Sequence, residues 1–419
     1  MRMAKKRKCG VLLPISSLPS KYGIGCFSKS AFEILSSIKL NTPAGIVDNT
    51  KYQNIFPSVD FELTDDLGGN IFPSAILAVA TTDTLVVQPS DTLVIGNPKS
   101  SIAIRIKNPV SNARLKITLG ETPFFRTSVS EFILPVKDYV YMVYPDILWN
   151  YDVLRNNNQA EPINISATVQ VTGHKPVHEV RTFSVRSINE CLLGYIDRRN
   201  KYKRTDVLLA AYVNENHPLI DEILREALNT KIVNRFMGYQ TNKKGYVDKQ
   251  VYALWHVLQQ RNFRYSSISY SSLSSNLVFA QRVRTFEDAL KSSQINCVDG
   301  SVLFASLLRA INIDPVLVRT PGHMYIGYYT DRKHENIDFL ETTMIGDIDL
   351  DDFFPDEKLD STTVGKSQKE MSRLTFDKSK EYARKNYDTH KSQFKSNAQS
   401  YMFLEITRGL RRKIQPIGK

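Results

Sequence analysis

The chain has 419 residues, 42% of them hydrophobic and 23% charged; this balance excludes a wholly disordered polypeptide and leaves room for two or three domains. No run of about 18 apolar residues occurs, which excludes a spanning helix. Of the net charge of +12, Arg2, Lys5, Lys6, Arg7 and Lys8 supply +5, and residues 366–419 carry 14 Lys/Arg against 5 Asp/Glu. The long body between is therefore slightly negative. A basic rim without an aromatic stripe reads as solvated surface, so nucleic acid is not an expected partner.

The four cysteines, Cys9, Cys26, Cys191 and Cys297, are too few and too scattered for a disulfide framework. No CxxC pair points to zinc. His178, His217, His256, His334 and His390 lack ligand spacing, so neither a metal nor another cofactor is expected.

Residues 1–40 form the first segment. A basic start, MRMAKKRK, precedes CGVLLPISSLPSKYGIGCFSKS. Pro14 and Pro19 interrupt its apolar residues and Lys21 charges it. A secretory signal needs a continuous apolar stretch of about 7–15 residues, so none is read here. Residues 10–25, GVLLPISSLPSKYGIG, resemble the opening of a 4-alpha-glucanotransferase (amylomaltase). There the segment is the first barrel strand and its sugar-lining loop. The pattern does not continue into eight strand–helix repeats, which a sugar-transferring barrel requires. The segment is expected to transfer no glucose by itself.

Residues 41–188 read as all-β, packed as an antiparallel, immunoglobulin-like sandwich. Ile102, Ile104 and Ile106 alternate with Ala103, Arg105 and Lys107. Leu115, Ile117 and Leu119 alternate with Lys116 and Thr118. Ile163, Ile165, Ala167, Val169 and Val171 alternate with polar neighbours, and Val177, Val180, Phe183 and Val185 suggest a bulged strand. Turn signals such as LGGN and NNNQAEP separate these runs. Tyr139, Tyr141, Tyr144, Trp149 and Tyr151 cluster, more often as core and edge packing than as a binding platform.

Residues 189–419 change to mixed α and β. TDVLLAAYVNENHPLIDEILREAL and VDKQVYALWHVLQQR have helical apolar spacing. YSSISYSSLSSN follows as an exposed loop near a cleft. Cys297 then stands immediately before a helical run in which Val302, Leu303, Ser306, Leu307 and Ala310 share a face. A thiol at a helix N-terminus has its pKa lowered by the dipole and the unpaired N–H groups, and the thiolate is the nucleophile. The same N–H groups can hold an oxyanion. DPVLVRT and PGHMYIGYY read as two strands, the second opening near His323. IDFLETTMI reads as a third, ending at Glu341. Cysteine, histidine and acid in this order make a set for acyl transfer: His323 takes the thiol proton and Glu341 orients the ring. Asp338 is a second candidate acid.

NCVDGSVLFASLLRAINIDPVLV, PGHMYIGYY and FLETT resemble the core of the transglutaminase-like superfamily, over about residues 190–419. The resemblance implies a papain-like α+β domain with Cys297 as nucleophile, His323 as base and Glu341 as orienting acid. Gln281, in AQRVR, matches a position where bacterial relatives have a glutamine and is a candidate side-chain donor to the oxyanion. ITRGLRRKIQPI is similar to their closing segment. Glu341 stands where the family usually has aspartate, Met324 and Tyr325 follow the histidine where many relatives have Ala and an aromatic, and Asp299 lies two residues after the cysteine. The resemblance also implies a protein or peptide substrate and, for a chain with a preceding sandwich, export in bacteria. Taken singly, each residue has a plainer role: Cys297 as an inert core thiol, His323 as a turn residue, Glu341 as a helix cap. The alternative to an amide hydrolase or acyltransferase is a non-catalytic binding protein on the same fold. A 4-alpha-glucanotransferase would rest on residues 10–25 alone.

Overall fold

A computed structural model describes residues 58–82, 93–97, 99–241, 245–261, 263–266, 273–292, 294–346 and 349–418. The glucanotransferase-like opening, Cys9, Cys26 and half of the Ser/Tyr-rich loop lie outside the described residues.

The alternating runs become strands. β1 (Phe61–Thr64), β2 (Asn70–Ile71) and helix α1 (Pro73–Val79) come first, then β3 (Val94–Gly96), β4 (Ala103–Lys107), β5 (Ala113–Leu119), β6 (Phe125–Arg126), β7 (Ser128–Leu134), β8 (Val140–Tyr144) and β9 (Leu148–Trp149). Helix α2 (Tyr151–Asn156) leads to β10 (Glu161–Val171) and β11 (Val177–Val185). They form two main sheets, of order β1-β4-β8-β3 and β2-β11-β10-β5-β7. Leu63, Ile104, Ile106 and Val143 of one and Leu115, Ile117, Ile165, Val169 and Phe183 of the other enter a common core. Removing each such side chain from water contributes about 1.5–3 kcal/mol.

Three details differ from the sequence expectation: helices α1 and α2 lie within the stretch read as all-β, two strand pairs are parallel, and one strand is not bulged. The pairs β3–β8 and β2–β11 are parallel; no hairpin turn joins either pair, so no turn sets their direction. β11 also carries no bulge against β10, because its register runs unbroken from Glu161↔Val185 to Val169↔Val177. Val180 consequently faces outward and is 54% exposed. The alternate positions toward β1 are Glu179 and Arg181. Glu179 Oε2 accepts from Leu63 N at 2.8 Å, and Arg181 donates to Leu63 O and pairs with Asp65. Polar residues thus occupy the β1 edge of an apolar face, where the apolar alternation fails to mark them. The tyrosines do not make one platform: Tyr141 is buried, the Tyr144 hydroxyl donates to Asp66, and Tyr139 and Tyr151 are exposed.

The second half is mixed. β12 (Glu190–Ile196) and β13 (Tyr202–Arg204) precede a 3-10 turn at Asp206–Tyr212 and helices α3 (Leu219–Asn229) and α4 (Tyr246–Gln260). Next come β14 (Arg264–Tyr265), β15 (Val278–Arg282), α5 (Phe286–Lys291), β16 (Gln294–Ile295) and α6 (Cys297–Ala310). β17 (Pro315–Thr320), β18 (His323–Tyr329) and β19 (Ile337–Leu340) follow, then 3-10 turns at Thr342–Met344 and Leu350–Asp352. α7 (Asp360–Thr363), α8 (Gln368–Lys395), β20 (Met402–Glu405) and α9 (Arg408–Arg411) complete the order. The site-bearing sheet has order β19-β18-β17-β20, all antiparallel. The molecule is mixed α+β. The two halves are stitched by a buried Arg186–Glu190 pair at 2.7 Å, by Ser74 Oγ on Glu190 O, and by the closing tail, where Gln415 N donates to Ala78 O.

Candidate functional site

α6 starts at Cys297 because Asn296 caps it. The Asn296 side chain accepts from Asp299 N at 2.8 Å, and the Asp299 carboxylate accepts from Asn296 N at 3.2 Å, a reciprocal capping box. Cys297 is therefore the first helical residue, and its carbonyl accepts from Ser301 Oγ. It is 2% exposed. Its sulfur is disulfide-bonded in this structure, so it is not a thiolate in this form.

His323 opens β18 directly after the turn at Pro321–Gly322, where Thr320 pairs with His323 across the hairpin. Gly322 takes φ +74°, a left-handed conformation that costs glycine least. His323 Nε2 lies 2.5 Å from Glu341 Oε2. Glu341 follows β19 and is fully buried. Its other oxygen accepts from Thr343 N at 3.1 Å and Thr343 Oγ1 at 2.7 Å, and its own N–H donates to Ser379 Oγ of α8. The carboxylate is thus fixed by Thr343 on one oxygen, with the other oxygen turned to the imidazole. The use of Nε2 by Glu341 leaves Nδ1 as the ring nitrogen able to serve another group. Burial pushes the His323 pKa down, but the charge and hydrogen bond of Glu341 outweigh it, and the net shift is upward.

The cysteine helix packs on this pair. α6 lies against β17 and β18 and against the Thr342–Met344 turn. At Gly300 the approach is so close that a Cβ would come within 2.9 Å of Thr342 Oγ1. Ser301 Oγ and Thr342 Oγ1 are 3.4 Å apart. The chain thus brings His323 and Glu341 into direct contact and sets α6, which begins at Cys297, against their strand and turn. Asp338 is engaged elsewhere, by Lys380 at 2.9 Å and Arg384 at 3.1 Å. Gln281 is buried on β15 opposite Cys191, and its amide nitrogen donates to Arg282 O at 2.9 Å.

Three features stand outside the apolar periodicity of the sequence. Arg284 pairs with Asp299, a contact that no residue spacing announces; the Asn-x-x-Asp spacing marks only the capping box. Tyr325 stacks on His323 at 6.1 Å, and its buried hydroxyl has no hydrogen-bond partner among the described residues. Among the described residues, one group of acids could hold a cation: Asp349, Asp351 and Asp360, with carboxylate oxygens within 4.8 Å of one another. Burial and a hydrogen bond from Asp349 raise the Asp360 pKa. Exposed acids at turn caps are common without an ion.

No family model matches the chain, and no curated protein matches it significantly.

Proposed function

We propose that the chain is a cysteine amide hydrolase or acyltransferase of transglutaminase-like architecture, in which an immunoglobulin-like sandwich precedes the catalytic half. The observation that carries this reading is the 2.5 Å His323–Glu341 contact, with Glu341 fully buried and saturated, beside the helix that begins at Cys297. The chemistry starts from the reduced chain. His323 Nδ1 takes the Cys297 thiol proton, and the imidazolium is stabilised by Glu341. The thiolate attacks an amide carbonyl, and first-turn N–H groups of α6, with Gln281 as a side-chain donor, take the oxyanion. His323 returns its proton to the leaving amine, which departs and leaves a thioester on Cys297. Water or a second amine then attacks, with His323 as base, and Cys297 is regenerated. Hydrolysis of a peptide amide is the favoured outcome, because the bacterial relatives it resembles are mostly peptidase-like; the same likeness favours export.

The test is to incubate reduced protein with peptide amides, quench in acid and map Cys297 by mass spectrometry. A thioester on Cys297 with release of amine, both abolished in Cys297→Ser, is expected. Peptide retained without any covalent adduct or amine release would favour the binding-protein alternative.

A further inference from the structure

α6 carries a charge that works against its own thiol. Asp299 lies in the first turn, two residues after Cys297, and is fully buried. A carboxylate in the same helical turn as a thiolate, in a medium that screens poorly, opposes the second negative charge. Among the described residues, one cation answers it. Arg284, in the loop after β15, pairs its guanidinium with Asp299 Oδ2, and its backbone N–H donates to Asp299 Oδ1 at 2.8 Å. That loop is anchored from its other side, since Val283 N donates to Asn189 O and Thr285 N to Asn189 Oδ1. The cation is thus built in, with its guanidinium mostly buried.

The other charges on elements packed against this end of α6 are accounted for. His323 of β18 and Glu341 after β19 pair with each other. On α5, Glu287 pairs with Lys291, and Asp288 accepts from Asn189. Arg319 of β17 is held by Asp206 of the 3-10 turn. No second cation among these is directed at Asp299.

We propose that Arg284 is a positioning residue that neutralises Asp299 and so lets Cys297 ionise within the pair it forms with His323. Asp299 caps α6 and ties the Gln281 strand exit to the start of the helix; Arg284 makes that tie compatible with a thiolate. Burial penalises the Asp299 charge, and the bonds from Arg284 and Asn296 oppose the penalty. The inference rests on the reading that Cys297 acts as a thiolate.

The experiment measures the pH midpoint of iodoacetamide labelling at Cys297 in reduced protein for wild type, Arg284→Gln, Arg284→Lys and Asp299→Asn. Arg284→Gln is expected to raise the midpoint by about one pH unit, a roughly tenfold slower reaction below it. Arg284→Lys keeps the charge and should stay near wild type. Asp299→Asn leaves Arg284 as an uncompensated cation, so its midpoint should stay level or fall. Opposite signs for Arg284→Gln and Asp299→Asn cannot come from a loosened cap, which would move both the same way. If Arg284→Gln does not fold, Asp299→Asn alone decides: a raised midpoint overturns the proposal. Equal midpoints in wild type and Arg284→Gln also overturn it. The underlying reading fails separately, if wild type itself titrates as an ordinary thiol.

Discussion

Replacing Glu341 by glutamine keeps the shape of the side chain and removes its charge, which makes it the sharpest perturbation of the site. In the wild type, one oxygen receives two donors from Thr343 and the other faces His323 Nε2. Glutamine has one carbonyl oxygen. The Thr343 N–H and O–H can be satisfied only if that oxygen turns toward them, so the amide NH2 faces the imidazole. Nε2 must then accept, and the ring proton moves to Nδ1, the nitrogen needed to take the thiol proton. The imidazolium also loses its counter-charge while burial continues to disfavour it. Both effects act against proton transfer, and together they are expected to reduce turnover on the order of 10²–10⁴-fold. The stability effect has a defined sign. His323 holds its proton more tightly when folded, so its contribution is complete below the ordinary histidine value of about 6.5 and is lost as pH rises through the raised value. Glu341→Gln should therefore lose more stability relative to wild type near pH 5 than near pH 9, read by urea unfolding at each pH. Unchanged turnover together with a pH-independent stability difference would refute the argument.

Three further outcomes check the frame around the site. Gly346→Ala should cost about 2–4 kcal/mol in denaturant unfolding, because Gly346 has φ +108° and a Cβ there would sit 1.7 Å from Phe263 O; a loss under about 0.5 kcal/mol would contradict the close approach. Arg186→Met removes the guanidinium that pairs with buried Glu190 and should cost about 3–5 kcal/mol, with partial recovery when Glu190→Gln is added; full additivity of the two would argue against the pair. Val180→Thr should be neutral within about 0.5 kcal/mol, since Val180 faces solvent. A loss above about 1.5 kcal/mol, the cost of a core position, would return that strand to a bulged register.

Much of the architecture is legible because burial imposes a period. Strict alternation in residues 102–107, 115–119 and 163–171 locates β4, β5 and β10. The apolar spacing of 247–261 locates α4, whose Trp255 and Leu254 are wholly buried. Periodicity fails where the inward position is polar for a specific partner. Glu179 and Arg181 serve the β1 edge, so Val177, Val180, Phe183 and Val185 looked like one face with a bulge. It also cannot give the direction of β2 and β3, because no short turn links either to its partner. At the site, the order cysteine, histidine, acid is written in the chain, and the approach of His323 to Glu341 follows from strand pairing between β18 and β19. The Arg284–Asp299 contact is harder to read. It joins residues whose adjacency depends on how the β15 exit packs on α6, and a lone arginine in a loop announces no partner. The disulfide state of Cys297 is likewise invisible in the spacing of four scattered cysteines.

The central claim is that Cys297 and His323 form an ion pair once the sulfur is reduced. It is tested most directly by the rate of iodoacetamide labelling at Cys297, mapped by mass spectrometry from about pH 4 to pH 9, in wild type and His323→Ala under a thiol reductant. The account predicts labelling that persists below about pH 6 in the wild type and collapses there in His323→Ala. Superimposable profiles, both rising with a midpoint near the ordinary thiol value of about 8.5, would contradict it.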